Sequence, residues 1–422
     1  MLNKIQQYNQ TAYFYLILLI AFFIPLHKKI LTVFIALLFL NWIIEGFLNF
    51  IVFKKVNIRF KKFTVSPVRT NVIIFISLYL MYLIGMLYSS NFKYGWFDLE
   101  IKLSIIIFPL VFSTINPEIF NKKKYENIVK AFVFGCILGS LICLSCALWG
   151  YLQTGQQNLF YYSNFSVFHH PSYFSMYINF VSIIIISNLL YNTEKIKRIN
   201  IYFNFFLLTY LFVLIFLLAS RSGVISILIV YFFSILYLII YKRKYLFSII
   251  IIIMICLVSF YSFKYLTLTS SRIIVTKERI IDQKEIEDNN KNYSTNARLL
   301  TWESAFDIMK KHPLLGVGTG DVRDVLTKRY NEKEILPVLK RYLNVHNQFL
   351  QTFLSIGIIG FTLLSLTLIL PFFKAIKEKD LLLFVFVILI ILNFSVESML
   401  EVQAGVIFYS FFSIFLLQKK AS

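Results

Sequence analysis

Long apolar runs, separated by short polar segments, occupy most of the chain. Most runs hold about 17–25 residues, which is enough for a helix to cross a hydrocarbon core of about 30 Å. Strands would alternate apolar and polar residues with a period of two, which these runs do not. The pattern predicts an all-α integral membrane protein with about twelve transmembrane helices. The predicted spans cover residues 11–26, 30–53, 71–88, 99–115, 128–152, 172–192, 201–219, 222–241, 245–264, 347–372, 381–399 and 403–417.

Lysine and arginine are concentrated in every second loop between these spans. The basic loops are residues 54–69, 121–124, 194–198, 242–244 and 374–379, together with the C-terminal tail. The opposite loops are poor in lysine and arginine, and residues 153–170 contain neither. Because positive residues favour the cytoplasmic side of a membrane, we predict that both termini are cytoplasmic.

The loop of residues 265–345 is much longer than the others and falls on the outer side. A loop of this length is usually functional or partly folded. A helix is predicted after NYSTNA from apolar residues at spacings of three and four, Leu299, Trp302, Phe306 and Met309. Its apolar face either lies on the membrane surface or caps the bundle. A single membrane domain is expected, with nine spans in residues 1–264, this periplasmic loop with its short helices, and three spans in residues 346–422.

Composition agrees with a membrane protein and excludes a nucleic-acid-binding one. The chain is 58% hydrophobic, against about 45–50% apolar residues in soluble domains. The net charge of +21 is dispersed over the loops instead of lying on one folded module. The four cysteines lie inside apolar runs and are interpreted as packing residues. The chain has no acidic cluster of the DxD type, so we predict neither a metal nor another cofactor.

Three arginines are candidates for binding an anion. Arg221, in LLASRSGV, lies at the outer end of two apolar runs. It is either an interfacial anchor or a ligand for an anionic group, since guanidinium binds phosphate oxygens bidentately. Arg298, in STNARLLTWESAF, is predicted in the first turn of the loop helix, where a phosphate would offset the unfavourable dipole. The alternative for Arg298 is a solvated surface residue, and Arg272 is a weaker third candidate.

The string HPLLGVGTGD, residues 312–321, alternates three glycines with other residues. It lacks the βαβ context of a nucleotide-binding loop and falls in the outer loop, so that function is excluded. We expect instead a tight loop that re-enters the site.

His346, in NVHNQFLQ, begins the tenth predicted span. It is either a boundary residue of the membrane interface or a base that takes a proton from a sugar hydroxyl near neutral pH. Asn347 is expected to orient it or a substrate hydroxyl. His170, in FHHPSYFSMY, is predicted at the same outer face, at the start of the sixth span.

Two glutamates, Glu397 and Glu401, are spaced four residues apart at the outer end of the eleventh span. Carboxylates inside membranes are costly and usually have partners. The pair either binds an arginine structurally or contacts the sugar. Lys102, near the outer end of the fourth span, has the same two interpretations.

The order of these motifs resembles the family of O-antigen ligases and O-antigen polymerases. The resemblance is strongest over residues 210–360 and rests on LLASRSGV, ARLLTWESAFDIMKKHPLLGVGTGD and VHNQFLQTFLSIGIIG, with HHPSYFS as a weaker echo upstream. Each string is weakly specific alone, whereas their order and membrane side together are more specific. The first four spans contribute only hydropathy.

This resemblance implies an inverting, metal-independent glycosyltransferase of the GT-C type, whose donor is an undecaprenyl-diphosphate-linked glycan. It implies that Arg221 and Arg298 hold the diphosphate and that His346 is the catalytic residue serving the acceptor hydroxyl. Cations suit a reaction in which charge grows on a diphosphate leaving group. The implied location is a bacterial inner membrane, with the active site facing the periplasm.

Several functions are compatible with this chemistry. Ligation of the glycan to lipid A-core is the first expectation, polymerisation of O-antigen or exopolysaccharide is the second, and transfer to protein hydroxyls is the third. A transporter of lipid-linked sugars is the rival from another class, and it would favour internal repeats and charges at the bilayer midplane. The expected partners are the undecaprenyl-diphosphate-linked glycan, a lipid A-core or polysaccharide acceptor, and the lipid bilayer.

Overall fold

A computed structural model describes residues 2–51, 58–66, 68–191, 198–237, 293–333 and 344–418, together with single positions between 239 and 256. These residues form helices and no β-strand. The helices are α1 (Leu2–Phe23), α2 (Lys28–Ile51), α3 (Ile58–Thr64), α4 (Arg69–Gly85), α5 (Phe92–Lys102), α6 (Ser104–Thr114), α7 (Lys122–Thr154), α8 (Tyr162–Phe165), α9 (Pro171–Tyr191), α10 (Arg198–Leu217), α11 (Arg221–Tyr237), α12 (Tyr293–Lys311), α13 (Val322–Glu332), α14 (Gln348–Glu378), α15 (Leu381–Val396) and α16 (Gln403–Leu417). Short 3-10 turns cover Met86–Tyr88, Pro117–Phe120, Gln157–Phe160 and Met399–Glu401.

Within the described ranges, five helical stretches are long and apolar enough to cross a membrane. They are Lys28–Asn49, Arg69–Tyr88, Lys122–Thr154, Pro171–Leu189 and Gln348–Glu378. Shorter apolar helices cover Ile201–Leu217, Arg221–Tyr237, Leu381–Val396 and Gln403–Leu417. The prediction of an all-α membrane protein is thereby confirmed, whereas the twelve spans, the periplasmic loop and the orientation stay predictions. Most of the predicted ninth span, residues 245–264, lies outside the described residues.

Helix α16 lies at the centre of the bundle. Every residue from Ala404 to Leu417 is buried, as expected of a helix that is apolar on all sides. The rings of Phe408 and Phe412 contact aromatic rings of three neighbouring helices, Phe132, Phe180 and Phe386. The bounds of α16 agree with the predicted span of residues 403–417.

The fourth predicted span, residues 99–115, is wrong as a single helix. The chain forms two helices there, α5 and α6, which meet at Leu103. Lys102 ends α5 with its side chain fully buried against the carboxylates of Asp98 and Glu401. A buried ammonium needs such partners. Just after this junction, Pro109 in α6 has no N–H to donate to the carbonyl of Ile105, which weakens helical hydrogen bonding there.

The helix predicted in the long loop is present as α12, although it begins earlier than expected, at Tyr293. Only part of its predicted apolar face is buried. Trp302 and Met309 pack with α13 and the start of α14, which caps the bundle. Leu299 and Phe306 stay exposed.

Candidate active site at one end of the helix bundle

Four elements meet at the end of the bundle where α14 begins, and each contributes one polar side chain to a common cluster. His346 lies just before α14, and Glu397 lies just after α15. Arg298 lies in α12, and Ser172 lies in the first turn of α9. These four residues, here called the Glu397 cluster, come from widely separated parts of the chain.

The carboxylate of Glu397 is the shared partner of the other three side chains. Its Oε2 lies 3.2 Å from Nδ1 of His346, and its Oε1 lies 3.4 Å from Nη2 of Arg298. The hydroxyl of Ser172 donates a hydrogen bond to Oε1 at 3.3 Å. Because the side chain of Glu397 is only 15% exposed, these contacts replace much of the water that the carboxylate loses.

The pKa of the Glu397 carboxyl is lower than its ordinary value. Burial acts to raise this pKa, but the hydrogen bond from His346 and the charges of His346, Arg298 and His170 outweigh it. Glu397 is therefore ionised at neutral pH. An ionised carboxylate accepts the Nδ1 proton of His346, so this geometry assigns Nε2 as the imidazole nitrogen that accepts a further proton.

The backbone holds His346 in an uncommon conformation. Its φ is +49°, in the left-handed region that residues other than glycine rarely adopt. Its N–H donates to Oδ1 of Asn344 at 3.0 Å, and the carbonyl of Val345 accepts a hydrogen bond from Nε1 of Trp302 at 2.8 Å. Such conformations cost about 1–3 kcal/mol and are concentrated at functional sites. The imidazole stays 27% exposed, so a substrate can reach it.

Asn347 has a structural role in addition to its position beside the histidine. Its Oδ1 accepts a hydrogen bond from the N–H of Leu350 at 3.1 Å, which caps the start of α14. Its Nδ2 donates to the carbonyl of Ser395 at 3.2 Å, near the end of α15. Asn347 therefore joins the two helix ends that carry His346 and Glu397.

Arg298 reaches the cluster from a different position than predicted. Because α12 begins five residues earlier, at Tyr293, the prediction that Arg298 lies in the first turn is wrong. Arg298 contacts the cluster through its guanidinium group, which lies five residues along the chain from the start of α12. Its contact with Glu397 involves Nη2, one of three nitrogens with five N–H groups in total.

Arg221 is the first residue of α11 and is half-buried. The start of α11 packs closely on α9, because a Cβ at Gly223 would lie 2.5 Å from Oγ of Ser175. Asn179 of α9 also donates to the carbonyl of Gly223 at 3.0 Å. Helix α11 therefore begins beside the part of α9 whose first turn holds Ser172.

The other predicted supporting residues, His170, Lys102 and Arg272, do not all lie at the Glu397 cluster. His170 is exposed next to α9, its Nε2 lies 3.4 Å from the hydroxyl of Tyr162, and its charge acts on Glu397. Lys102 belongs to a separate buried group, in which it pairs with Asp98 and, at 2.9 Å, with Oε1 of Glu401. Arg272 lies outside the described residues.

The spacing of Glu397 and Glu401 does not place them on one helix face. Helix α15 ends at Val396, Glu397 has an extended backbone with φ −142° and ψ 144°, and Glu401 ends a 3-10 turn. The two carboxylates therefore separate into the Glu397 cluster and the Lys102 group. Glu397 contacts Arg298, and Glu401 contacts Lys102 instead of an arginine. Whether either carboxylate contacts the sugar stays a prediction.

Ser172 and Asp98 were not singled out from the sequence. Ser172 lies in HHPSYFS, a string that the resemblance already noted. Asp98 lies four residues before Lys102, which is the spacing of an ion pair on a helix. In the described ranges, no group of three or more His, Cys, Asp or Glu side chains is arranged to hold a metal ion. Metal independence stays a prediction.

Comparison with known proteins gives a family match for part of the chain. Residues 205–365 match the family model described as O-antigen ligase, and this segment contains Arg221, Arg298 and His346. A protein of Haemophilus influenzae, described as uncharacterized, is 28% identical over 134 residues, which cover 29% of this chain and 34% of that protein. The chain thus spans about a third of the length of this curated relative. Over residues 205–365 the chain is therefore similar to the O-antigen ligase family.

Proposed function

We propose that the protein transfers a glycan from undecaprenyl diphosphate to a hydroxyl group of an acceptor, at the periplasmic face of a bacterial inner membrane. The observation that carries the proposal is the hydrogen bond between His346 and the ionised Glu397, with Arg298 on the same carboxylate. This arrangement combines an oriented base with a cation. The match of residues 205–365 to the O-antigen ligase family supports the same class of reaction.

In the proposed reaction, the acceptor hydroxyl oxygen attacks the anomeric carbon of the donor. A new C–O bond forms while the bond between that carbon and the phosphate oxygen breaks, with inversion at the carbon. The hydroxyl proton passes to Nε2 of His346, and the diphosphate leaves with the bonding electrons. The imidazolium formed is stabilised by Glu397, which already accepts the Nδ1 proton.

Arginines have a complementary role in this proposal. Negative charge grows on the diphosphate as the bond breaks, and fixed cations lower the barrier to that step. Arg298 is 36% exposed, and its contact with Glu397 at 3.4 Å is long for a hydrogen bond, so its other N–H groups suit phosphate oxygens. Arg221, at the start of α11, is proposed as the second diphosphate ligand on the strength of the family match.

The acceptor is proposed to be lipid A-core, which makes the protein a ligase. Polymerisation of repeat units and transfer to protein hydroxyls use the same chemistry and are the alternatives. A deletion strain separates the first two on a lipopolysaccharide gel. Unextended core with accumulated lipid-linked chains supports a ligase, whereas core carrying a single repeat unit supports a polymerase.

The decisive experiment measures glycan transfer by the purified protein in detergent, with a lipid-linked donor and an acceptor. Transfer without a membrane barrier excludes a pure transporter. His346→Ala is expected to lower the rate about 10²–10⁴-fold, the usual contribution of a general base. His312→Ala is the matched control, since His312 is exposed at the other end of α12. Unchanged transfer by His346→Ala, with normal expression, would contradict the proposal.

A further inference from the structure

The glycine-rich string that follows α12 does not enter the Glu397 cluster. Residues 312–321 form a non-helical hairpin between α12 and α13, and its tip enters a break in α14. At the break, Ile356 has φ −134° and Gly357 has φ +64°, so helical hydrogen bonding is interrupted. The expectation that this loop re-enters the site is therefore corrected, because the loop enters the bundle beyond the site.

Hydrogen bonds from the hairpin replace those that the break removes from α14. The carbonyl of Leu354 accepts from the N–H of Val317 at 2.8 Å, and the carbonyl of Ser355 accepts from the N–H of Gly318 at 3.0 Å. In return, the N–H of Ile358 donates to the carbonyl of Pro313 at 2.9 Å. Non-helical backbone is tolerated at membrane depth only where protein satisfies it in this way.

Glycines allow the two backbones to approach this closely. A Cβ at Gly357 would lie 2.0 Å from the carbonyl oxygen of Leu314, and a Cβ at Gly316 would lie 2.4 Å from that of Leu354. Both glycines also have positive φ. The contact is therefore built into the sequence of both segments.

The depth of the hairpin tip follows from the sequence of α14. Between Gln351 and Lys374, α14 has no charged or amide side chain. Ile358, whose N–H donates to the carbonyl of Pro313, lies inside this stretch. Helix α4 gives the same result, because Thr319 contacts the carbonyl of Gly85 within the candidate span Arg69–Tyr88.

Exposed leucines lie at this depth. Leu314 is 67% exposed and Leu315 is 45% exposed, in a loop whose backbone is fixed on both sides. The backbone of Leu314 approaches Gly357 of α14, and the carbonyl of Leu315 accepts a hydrogen bond at 2.6 Å from the hydroxyl of Tyr88, in the 3-10 turn that follows α4. The chain around these two contacts also exposes apolar side chains, Leu83, Leu87, Ile358 and Ile359. The tip therefore continues the apolar outer surface of two candidate membrane spans.

Two basic residues come shortly before the leucines in the chain. Lys310 and Lys311 end α12 and are exposed, one turn before Leu314. Lysines at the edge of an apolar surface extend their ammonium groups toward phosphate groups of lipids. The segment thus has charged residues followed by apolar ones, in the same order as the phosphate and acyl layers of a membrane leaflet.

We propose that residues 312–316 form a re-entrant segment whose leucines lie among the acyl chains of the leaflet on the side of the Glu397 cluster. Lys310 and Lys311 contact the phosphate groups of the same leaflet. The bilayer thereby anchors the end of α12, and Arg298 lies on that same helix. This role is independent of the transfer chemistry.

The test is site-directed spin labelling of the full chain in liposomes of phosphatidylethanolamine and phosphatidylglycerol. A cysteine-free background is needed because Cys146 is exposed. Leu314→Cys is compared with Ile359→Cys, on an exposed face of α14, and with Lys328→Cys, exposed on α13. Collision rates are measured with oxygen, which enters lipid, and with a water-soluble nickel chelate.

The label at position 314 is expected to match the label at 359, with at least several-fold fewer nickel collisions than the label at 328. Nickel access at 314 equal to that at 328 would overturn the proposal, whatever the transfer activity. Should Leu314→Cys fail to elute as a monodisperse protein, Leu315→Cys gives the same readout at the neighbouring position.

Discussion

Glu397 and Glu401 lie four residues apart, yet their surroundings differ in kind. Glu401 binds Lys102, whose side chain is fully buried and also contacts the buried carboxylate of Asp98. Glu397 binds His346 and Arg298, whose side chains are 27% and 36% exposed. A substrate cannot reach a fully buried side chain such as Lys102. It can bind the partially exposed side chains of His346 and Arg298. The difference separates a carboxylate that holds the fold from one suited to chemistry.

Hydrogen bonds nevertheless connect the segments that carry the two carboxylates. The buried side chain of Gln348, two residues after His346, accepts a hydrogen bond from the N–H of Leu400 at 2.6 Å. It also donates to the hydroxyl of Thr352 at 3.0 Å. The 3-10 turn that carries Glu401 is therefore fixed to the helix start that follows His346. The Lys102 group thus supports the cluster through the backbone, without touching His346.

The largest effect is expected when the buried cation is removed. Lys102→Met leaves Asp98 and Glu401 without their ammonium partner, and breaking a buried pair in this way costs about 3–5 kcal/mol. We expect a large fall in the thermal unfolding midpoint in detergent. Lys93→Met is the matched control, because Lys93 is exposed on the same helix. Equal midpoints for the two variants would show that the buried group does not hold the fold.

The next effect is expected in activity at Glu397. Glu397→Gln keeps the shape of the side chain but removes the charge that orients and stabilises the imidazole of His346. We expect transfer to fall about 100-fold, with kcat affected more than KM, and little change in unfolding midpoint. Glu401→Gln should give the reverse pattern, a lower midpoint and an activity loss that follows it. If both variants changed the transfer rate and the unfolding midpoint equally, the two carboxylates would not have different roles.

A smaller effect is expected from the neutral donor to the cluster. Ser172→Ala removes one hydrogen bond to Oε1 of Glu397. Arg298 and His346 remain on the same carboxylate, so we expect only a several-fold loss of transfer. Ser182→Ala is the control, because the Ser182 hydroxyl donates to the carbonyl of Ile178, farther along α9. A loss as large as that of Glu397→Gln would mean that Ser172 itself touches the substrate.

The smallest effect concerns pH and stability. The pKa of Glu397 is lowered in the folded protein, so its ionisation stabilises the fold above the ordinary carboxyl range, and this contribution is lost as pH falls through the lowered pKa. Below about pH 5, the difference in midpoint between the native protein and Glu397→Gln should shrink as the pH falls. A difference that grows as the pH falls below about 5 would contradict the lowered pKa of Glu397.

Much of the fold follows from the sequence because lipid imposes simple rules on long apolar runs. The bounds of α16 agree with the prediction, and those of α9 and α15 differ from it by one to three residues. The breaks could not be foreseen. The interruption at Ile356 and Gly357 is matched by hydrogen bonds from a hairpin some forty residues earlier, and Lys102, next to the division at Leu103, binds Glu401. No local pattern records such long-range partners.

The site shows the same limit. Residue chemistry identified His346, Arg298 and Glu397 separately, because a histidine, an arginine and a carboxylate at a membrane edge are each costly. The sequence did not show that the three share one ion-paired cluster. It also treated Glu397 and Glu401 as a pair, because i and i+4 face the same way only while a helix continues, and α15 ends at Val396.

The 299 positions between Lys102 and Glu401 have a consequence for biogenesis. At about 5–20 residues per second, a ribosome needs on the order of 15–60 s to make the chain between them. Asp98 lies one helical turn before Lys102, so these two side chains can pair as soon as α5 forms. Glu401 is synthesised much later, and the Lys102 group is complete only after it has been added.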